Sequence, residues 1–311
     1  MSSSSDSPAT LGRPEVRGGP FAIDDELLGL RDAVAIVTGG AQSIGRGCAV
    51  ALARAGCHVM IADLADGSDA VREIHALGRD AIFHRTDART KTSVEEMVAT
   101  TTAYFGRLDV AVNTVGSTKG PQPFLDIELD DWDDVVTQNL STAMLCTQVE
   151  ALAMIEHGSG GSIINVSSLS GLVAAPNAAG YGAANAGVVH LTRSAALELG
   201  RYGIRVNCIV PGTHRTEAVV KAEAANPQIA EWIRVVGAST PLGRLGDVAE
   251  TSGVAVFLAS RLSAYVTGQE IVSDGGVQHT TSRPPMGMDA EAEAVHALRR
   301  RPAGEQAARR R

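Results

Sequence analysis

Aromatic residues are scarce: Phe, Trp and Tyr together make 4% of the 311-residue chain. An aromatic-rich binding face is therefore not expected. Basic residues are outnumbered, and the net charge of −8 argues against a nucleic-acid surface. Cysteine is rare and dispersed; Cys48, Cys57, Cys146 and Cys208 form no CxxC pair. That pattern speaks against a zinc site or a disulfide framework and for a reducing, cytoplasmic setting. Long apolar runs are missing as well. No window reaches 18 unbroken apolar residues, so no membrane-spanning helix is expected. The opening stretch MSSSSDSPATLGRPEVRGGP has no apolar core and does not read as a secretory signal. No His/Asp/Glu group has ligand spacing, so no metal site is expected, and no repeat of fixed period is visible.

What is present is a core-forming composition, 44% hydrophobic, with 33 glycines, suited to tight strand-to-helix turns. Residues 1–29 are rich in Ser, Pro and Gly and read as a flexible tail. Residues 281–311, with Pro284, Pro285 and two arginine triplets, read as a second one. Between them, apolar runs at 33–38, 57–62, 80–85, 108–113, 162–167, 204–210 and 269–273 alternate with helix-like stretches. These stretches lie near 44–55, 68–77, 91–105, 130–156, 181–199 and 247–259, with an irregular, partly helical segment before 237. The strands are apolar throughout rather than alternating, as happens when both faces of a sheet are covered. The expectation is one α/β domain over 30–280: a Rossmann-type, doubly wound parallel sheet with helices on both faces.

The first strand runs straight into TGGAQSIGRG at 38–47. A Gly-rich turn between strand and helix lets backbone N–H groups and the helix N-terminus meet a pyrophosphate. Alone such a cluster is weak evidence; its place after the first strand, with Asp63 closing the second, strengthens it. Asp63 is positioned to accept from the adenosine ribose hydroxyls and to repel a 2′-phosphate, which favours NAD over NADP. Gln42, not a basic residue, stands where a 2′-phosphate partner would. The same carboxylate would also suit a plain turn at a strand end.

By these residues the sequence resembles the short-chain dehydrogenase/reductase family over about residues 30–278. The family's TGxxxGxG aligns with Thr38, Gly39, Ser43 and Gly45, with Gln42 and Ile44 between them. Asp87 matches the acidic residue that holds the adenine amino group. NTVG, from Asn113 to Gly116, stands for NNAG. Asn139 matches the helix asparagine of the proton relay. Ser168 precedes Tyr181 by the family's spacing of thirteen. VPGTHRT matches PGxxxT, with Pro211, Gly212 and Thr216 flanking the nicotinamide. PLGRLGDVAE and YVTGQEIVSDGG match the family's C-terminal stretches.

Beside Thr114 and Val115 in NTVG, the pattern is broken at the middle glycine, which is Ser43, and at YxxxK, which reads YGAAN and places Asn185 where the lysine belongs. The resemblance implies an NAD-dependent oxidoreductase that interconverts an alcohol and a ketone. Tyr181 would be its general acid/base, Ser168 would steady the substrate oxygen, and Asn139 would hold a relay water. Asn185 can hydrogen-bond a ribose hydroxyl but supplies no positive charge. A cation beside the phenolate would be worth roughly 3–4 kcal/mol, so its loss implies a slower enzyme rather than a silent one. Lys119, His190 and His214 are candidate replacements, each of them equally an ordinary surface or packing residue. At position 43, a Cβ would cost of order 1 kcal/mol if the backbone needs φ > 0.

The resemblance further implies a homodimer or homotetramer built through 130–156 and 181–199. Two other readings stay open. One is a non-catalytic pseudo-subunit paired as a heteromer with an active paralogue. The other is a non-redox catalyst using the same pocket. The segment 214–237, with Val219, Val220, Ile229, Trp232 and Ile233, would lid the pocket and suits a ring-bearing or acyl substrate.

Overall fold

The computed structural model describes residues 27–280. Its first strand, β1 (Val34–Thr38), is buried at every position, as a strand with both faces covered must be. Six more follow: β2 (His58–Asp63), β3 (Ala81–Arg85), β4 (Val110–Asn113), β5 (Gly161–Val166), β6 (Ile204–Pro211) and β7 (Glu270–Ser273). They form one sheet in the order β3-β2-β1-β4-β5-β6-β7, and every pairing is parallel. The doubly wound sheet expected from the sequence is therefore present.

Parallel neighbours need crossovers, and helices supply them. They are α1 (Ser43–Arg54), α2 (Ser68–Ala76), α3 (Lys91–Phe105), α4 (Leu129–Val136), α5 (Thr142–His157), α6 (Ala179–Leu199), α7 (Glu217–Ala225), α8 (Pro227–Ser239) and α9 (Val248–Ala259). The pleat sorts the core into two layers. Ala35, Val37, Val59, Ile61, Val112 and Ile164 share one layer with Leu52 and Leu258. Ile36, Met60, Ala111 and Ile163 share the other with Met97 and Met154. Alternate residues of one strand thus serve opposite layers, and both sets must be apolar.

Some segments carry detail beyond the sequence expectation. The stretch expected as one helix over 130–156 is helical throughout, with a wide π turn at Thr137–Ser141 joining α4 to α5 inside it. The irregular segment before 237 resolves into α7 and α8, because Thr216 and Asn226 each cap a helix start by accepting a backbone N–H and Pro227 preorganises the first turn of α8. Within the segment expected as a tail over 1–29, the backbone oxygen of Leu28 accepts from Arg261 N, and the neighbouring Leu30 is buried. The rest of that tail and the one at 281–311 lie outside the described residues. Among the described residues, no helix is long and apolar enough to cross a membrane.

The sheet order sets the site. β1 pairs with β2 on one side and with β4 on the other, so the chain winds away in opposite directions from β1. The crevice at the carboxyl ends of β1 and β4 is where an open sheet of this order takes its ligand. Register brings Thr38 level with Ala62 and with Asn113 there.

Candidate active site

A cleft of about 470 Å³ opens at that crevice. Gly39, Gln42, Ser43, Ile44 and Gly45 form one wall, with Asp63 and Asp87 beyond them; Thr114 to Gly116 form the floor, and Asn139, Ser168, Tyr181, Asn185, Pro211 and Gly212 close the other end. Most residues that the sequence put in the site are thereby brought together.

The glycine loop is built for close approach. A Cβ on Gly45 would sit 2.0 Å from the Gly39 carbonyl oxygen, so no side chain is tolerated there. The first turn of α1 leaves its N–H groups without intrahelical partners, aimed at whatever fills the cleft. Asp63 fixes the loop: its Oδ2 accepts from Ala41 N at 3.1 Å and its Oδ1 from Ala65 N at 3.0 Å. A carboxylate has lone pairs to spare beyond these two bonds, so the ribose contact remains open to it. Ser43 carries a φ of 56°, the left-handed region where a side chain is costly. A glycine would rest there without strain, and the chain bears a serine.

Asp87 is held bidentately by Arg89, at 3.0 Å from Nε and 2.9 Å from Nη2. That guanidinium keeps the Asp87 carboxyl below the usual carboxylate range. Arg89, two residues past the motif position, has no signal in the sequence pattern.

Ser168 and Tyr181 share the cleft because two glycines let the serine turn press on α6. A Cβ on Gly171 would fall 2.7 Å from the Asn185 backbone, and one on Gly182 would fall 2.8 Å from the Ser170 oxygen. Ser168 Oγ accepts from Ser170 N at 3.2 Å, which leaves its own O–H free to donate into the cleft. Asn185 is buried, and its Nδ2 donates to the Tyr181 backbone oxygen one turn back at 2.9 Å.

Four expected site residues are engaged elsewhere. The Asn113 side chain points into the interior: Nδ2 donates to Glu150 Oε2 at 2.9 Å and Asn165 Oδ1 at 3.2 Å, and Oδ1 accepts from Thr38 Oγ1 at 3.2 Å. Thr38 is thereby committed too. Thr216 uses its hydroxyl to cap α7, accepting from Val219 N. Asn139 lines the cleft but binds backbone with its whole amide: Oδ1 accepts from Ser117 N, and Nδ2 donates to Ser117 O and Val135 O. That amide clamps the floor loop to the wide turn that joins α4 to α5.

No cation lines the cleft among the described residues. Lys119 pairs with Asp134 and with Asp131. His214 is a buried rivet, with Nδ1 3.0 Å from Gly212 O and Nε2 2.6 Å from Thr251 Oγ1. His190 is exposed on α6. None of the three candidates takes the place of the missing lysine. In the segment 214–237, Ile233 packs inward while Val220 and Trp232 are exposed.

A larger cavity, about 930 Å³, opens at the amino-terminal edge of the strands beside Asp109, Ser162 and Arg205. Its charged groups are structural: Arg107 pairs with Asp109, and Arg205 donates to Ser263 and to backbone oxygens. The chemistry-bearing residues lie at the other edge. No group of three or more His, Cys, Asp or Glu is placed to hold a metal ion among the described residues.

Residues 39–278 match the family described as Enoyl-(Acyl carrier protein) reductase. The chain is 36% identical over 242 residues to 2,5-dichloro-2,5-cyclohexadiene-1,4-diol dehydrogenase of Sphingobium indicum, covering 78% of this chain and 95% of the relative. It is 38% identical over 245 residues to an L-rhamnose 1-dehydrogenase (NAD(P)(+)) of a Sphingomonas species, covering 78% and 94%. A solved short-chain type dehydrogenase/reductase of Mycobacterium ulcerans superposes with a TM-score of 0.75 at 32% identity, covering 84% of this chain and 97% of that one.

Proposed function

The chain belongs to the short-chain dehydrogenase/reductase family, and we propose that it is an NAD-dependent oxidoreductase interconverting an alcohol and a ketone, with Tyr181 as general acid/base. The observation that carries this reading is that Ser168 and Tyr181 share one cleft with the glycine loop and Asp63. The cradle closed to any Cβ at Gly45 fits a pyrophosphate, and the Asp63 carboxylate fits an adenosine ribose rather than its 2′-phosphate.

When bound, the nicotinamide ring gives or takes the hydride. The chain's residues do the rest. Gln42, Ser43, Ile44 and Gly45 hold the phosphates. Asp63 and Asp87 hold the adenosine end, and Pro211 and Gly212 flank the ring. Asn185 offers its remaining N–H and its oxygen to a ribose hydroxyl. Ser168 donates its O–H to the substrate oxygen, and Tyr181 gives or takes the proton on that same oxygen. Among the described residues no cation lines the cleft beside the phenol, so Tyr181 works in either direction without the charge the missing lysine would supply. The substrate is a ring-bearing or acyl alcohol or ketone, in keeping with the apolar residues of the segment 214–237. The working protein is a homodimer or homotetramer joined through α5 and α6.

The cation-free cleft also favours a second reading, a pseudo-subunit paired with an active paralogue. Melting temperatures measured with NAD⁺, NADH, NADP⁺ and NADPH separate the two. A ligand at about 100 times its Kd stabilises by roughly 2.7 kcal/mol, a shift of several degrees. A shift with NAD⁺ and NADH alone is expected. No shift with any of the four would sink the oxidoreductase reading and send the search to a partner.

A further inference from the structure

Glu150 is a carboxyl where the fold has no evident need of one. It lies on α5 with 0% exposure. Among the described residues, its Oε1 is a buried side-chain oxygen that no hydrogen bond reaches. In folded proteins such an atom calls for an explanation. The other oxygen, Oε2, accepts from Asn113 Nδ2 at 2.9 Å.

Asn113 in turn joins three strands. It donates to Asn165 Oδ1 and accepts from Thr38 Oγ1. Asn165 is itself tied to Thr147 and Thr192. The residues directly after Asn113, from Thr114 to Gly116, are the floor of the cleft. The carboxyl therefore stands one hydrogen bond away from the residue that leads into the floor.

Burial pushes the Glu150 carboxyl up to about 7, against the opposing pull of the Asn113 bond. Among the described residues, its surroundings offer it no counter-charge. α3, β4, β5 and α6 pack against α5. Lys91, Glu95 and Glu96 of α3, and His190, Arg193 and Glu198 of α6, are exposed. β4 and β5 present the amides of Asn113 and Asn165. On α5 itself the titratable neighbour is the Cys146 thiol, held well above its ordinary range by burial and by Glu150; Glu156 and His157 are exposed at the helix end.

A nicotinamide ring is cationic when oxidised and neutral when reduced, while the rest of the dinucleotide is the same in both forms. A negative charge under the floor therefore acts on one form and not on the other. We propose that Glu150 is a positioning residue that acts through Asn113 and the floor segment to make the cleft prefer oxidised over reduced nicotinamide. The inference rests on the proposed dinucleotide site and adds to it a residue that lies outside the motifs carrying the family resemblance.

The sign follows from the charge. Ionised Glu150 attracts the oxidised ring; protonated Glu150 does not. The preference for NAD⁺ over NADH therefore grows as pH rises through neutrality. By reciprocity, NAD⁺ binding expels a proton from Glu150 and NADH binding does not. Coupling of this kind between two groups of one protein is typically worth about 5- to 150-fold in affinity, so a change of the affinity ratio on the order of tenfold is expected. Among the described residues, no histidine lines the cleft to imitate the effect.

The experiment is calorimetric titration of the full-length protein with NAD⁺ and with NADH between about pH 5.5 and 8.5, for wild type and Glu150→Gln. Glutamine keeps an oxygen for Asn113 and loses the charge. In wild type, Kd(NADH)/Kd(NAD⁺) is expected to rise by on the order of tenfold across the range, and in the variant to stay at its acid-limb value. Repeating the wild-type titration in buffers of different ionisation enthalpy counts the released protons without any variant. A flat wild-type ratio overturns the inference, as does a variant that keeps the slope or only melts lower. Binding of neither nucleotide at any pH overturns the cofactor reading along with it.

Discussion

Two residues decide how well this cleft works, and both are substitutions. Ser43 sits at φ 56° at the start of α1. A left-handed non-glycine residue costs roughly 1–2 kcal/mol, part of which is returned by the freer glycine in the unfolded chain. Ser43→Gly is therefore expected to raise stability by up to about 1 kcal/mol and to tighten NAD⁺ binding. Denaturant unfolding and titration check both, and a less stable glycine variant would show that the serine hydroxyl does more than its backbone costs. Asn185 spends an N–H on the Tyr181 carbonyl. Asn185→Lys exchanges that bond for an ammonium beside the phenol. A cation there is worth about two pH units, so the rising limb of the pH–rate profile for alcohol oxidation is expected to move down by about that much, with dehydrogenase activity at pH 7 up by on the order of a hundredfold. No gain with cofactor affinity intact would count against a Tyr181 mechanism. Glu150 was legible in principle: Cys146, Glu150 and Met154 fall at helical spacing on one buried face of α5. A charge in the middle of a largely apolar helix is easily taken for a surface position, and only the fold shows what surrounds it.

At the scale of elements, the sheet was legible because its chemistry is unambiguous. VAIVT is apolar at all but its last position, and only strands covered on both faces tolerate that in a parallel sheet. The motif residues followed, since each sits at a strand end or in a first helical turn whose place the alternation sets. What escaped the sequence depends on long-range bonds. The wide turn at Thr137–Ser141 lies inside an uninterrupted helical pattern, and it opens because Asn139 turns its amide to Ser117, twenty-two residues away in sequence. The direction of the Asn113 side chain escaped for the same reason. NTVG marks the segment, but Glu150, Asn165 and Thr38 determine which way the amide points. The approach of the Ser168 turn to Tyr181 depends on Gly171 and Gly182, whose need for a bare backbone shows only once the turn lies on α6.

At the scale of the whole molecule, the question is what covers α5 and α6. Leu152 on α5 is 53% exposed and Leu197 on α6 is 85% exposed, a wasteful arrangement for a lone chain, since burying such a side chain returns about 1.5–3 kcal/mol. Under the proposed assembly both lie between copies. Light scattering on the purified protein is expected to give two or four times the 32.2 kDa chain mass. Leu152→Glu with Leu197→Glu is expected to reduce it to one. Because both side chains are exposed within the chain, the double variant should keep the wild-type fold, and circular dichroism checks that it does. A wild-type protein that runs as a single chain would remove the homo-oligomer. A single chain that also takes up no dinucleotide would leave these leucines free for a different subunit, which is the state the pseudo-subunit reading requires. A homo-oligomer that binds NADH and reduces a ketone alone would close that reading, because the surface a partner would need is then filled by the chain's own copies.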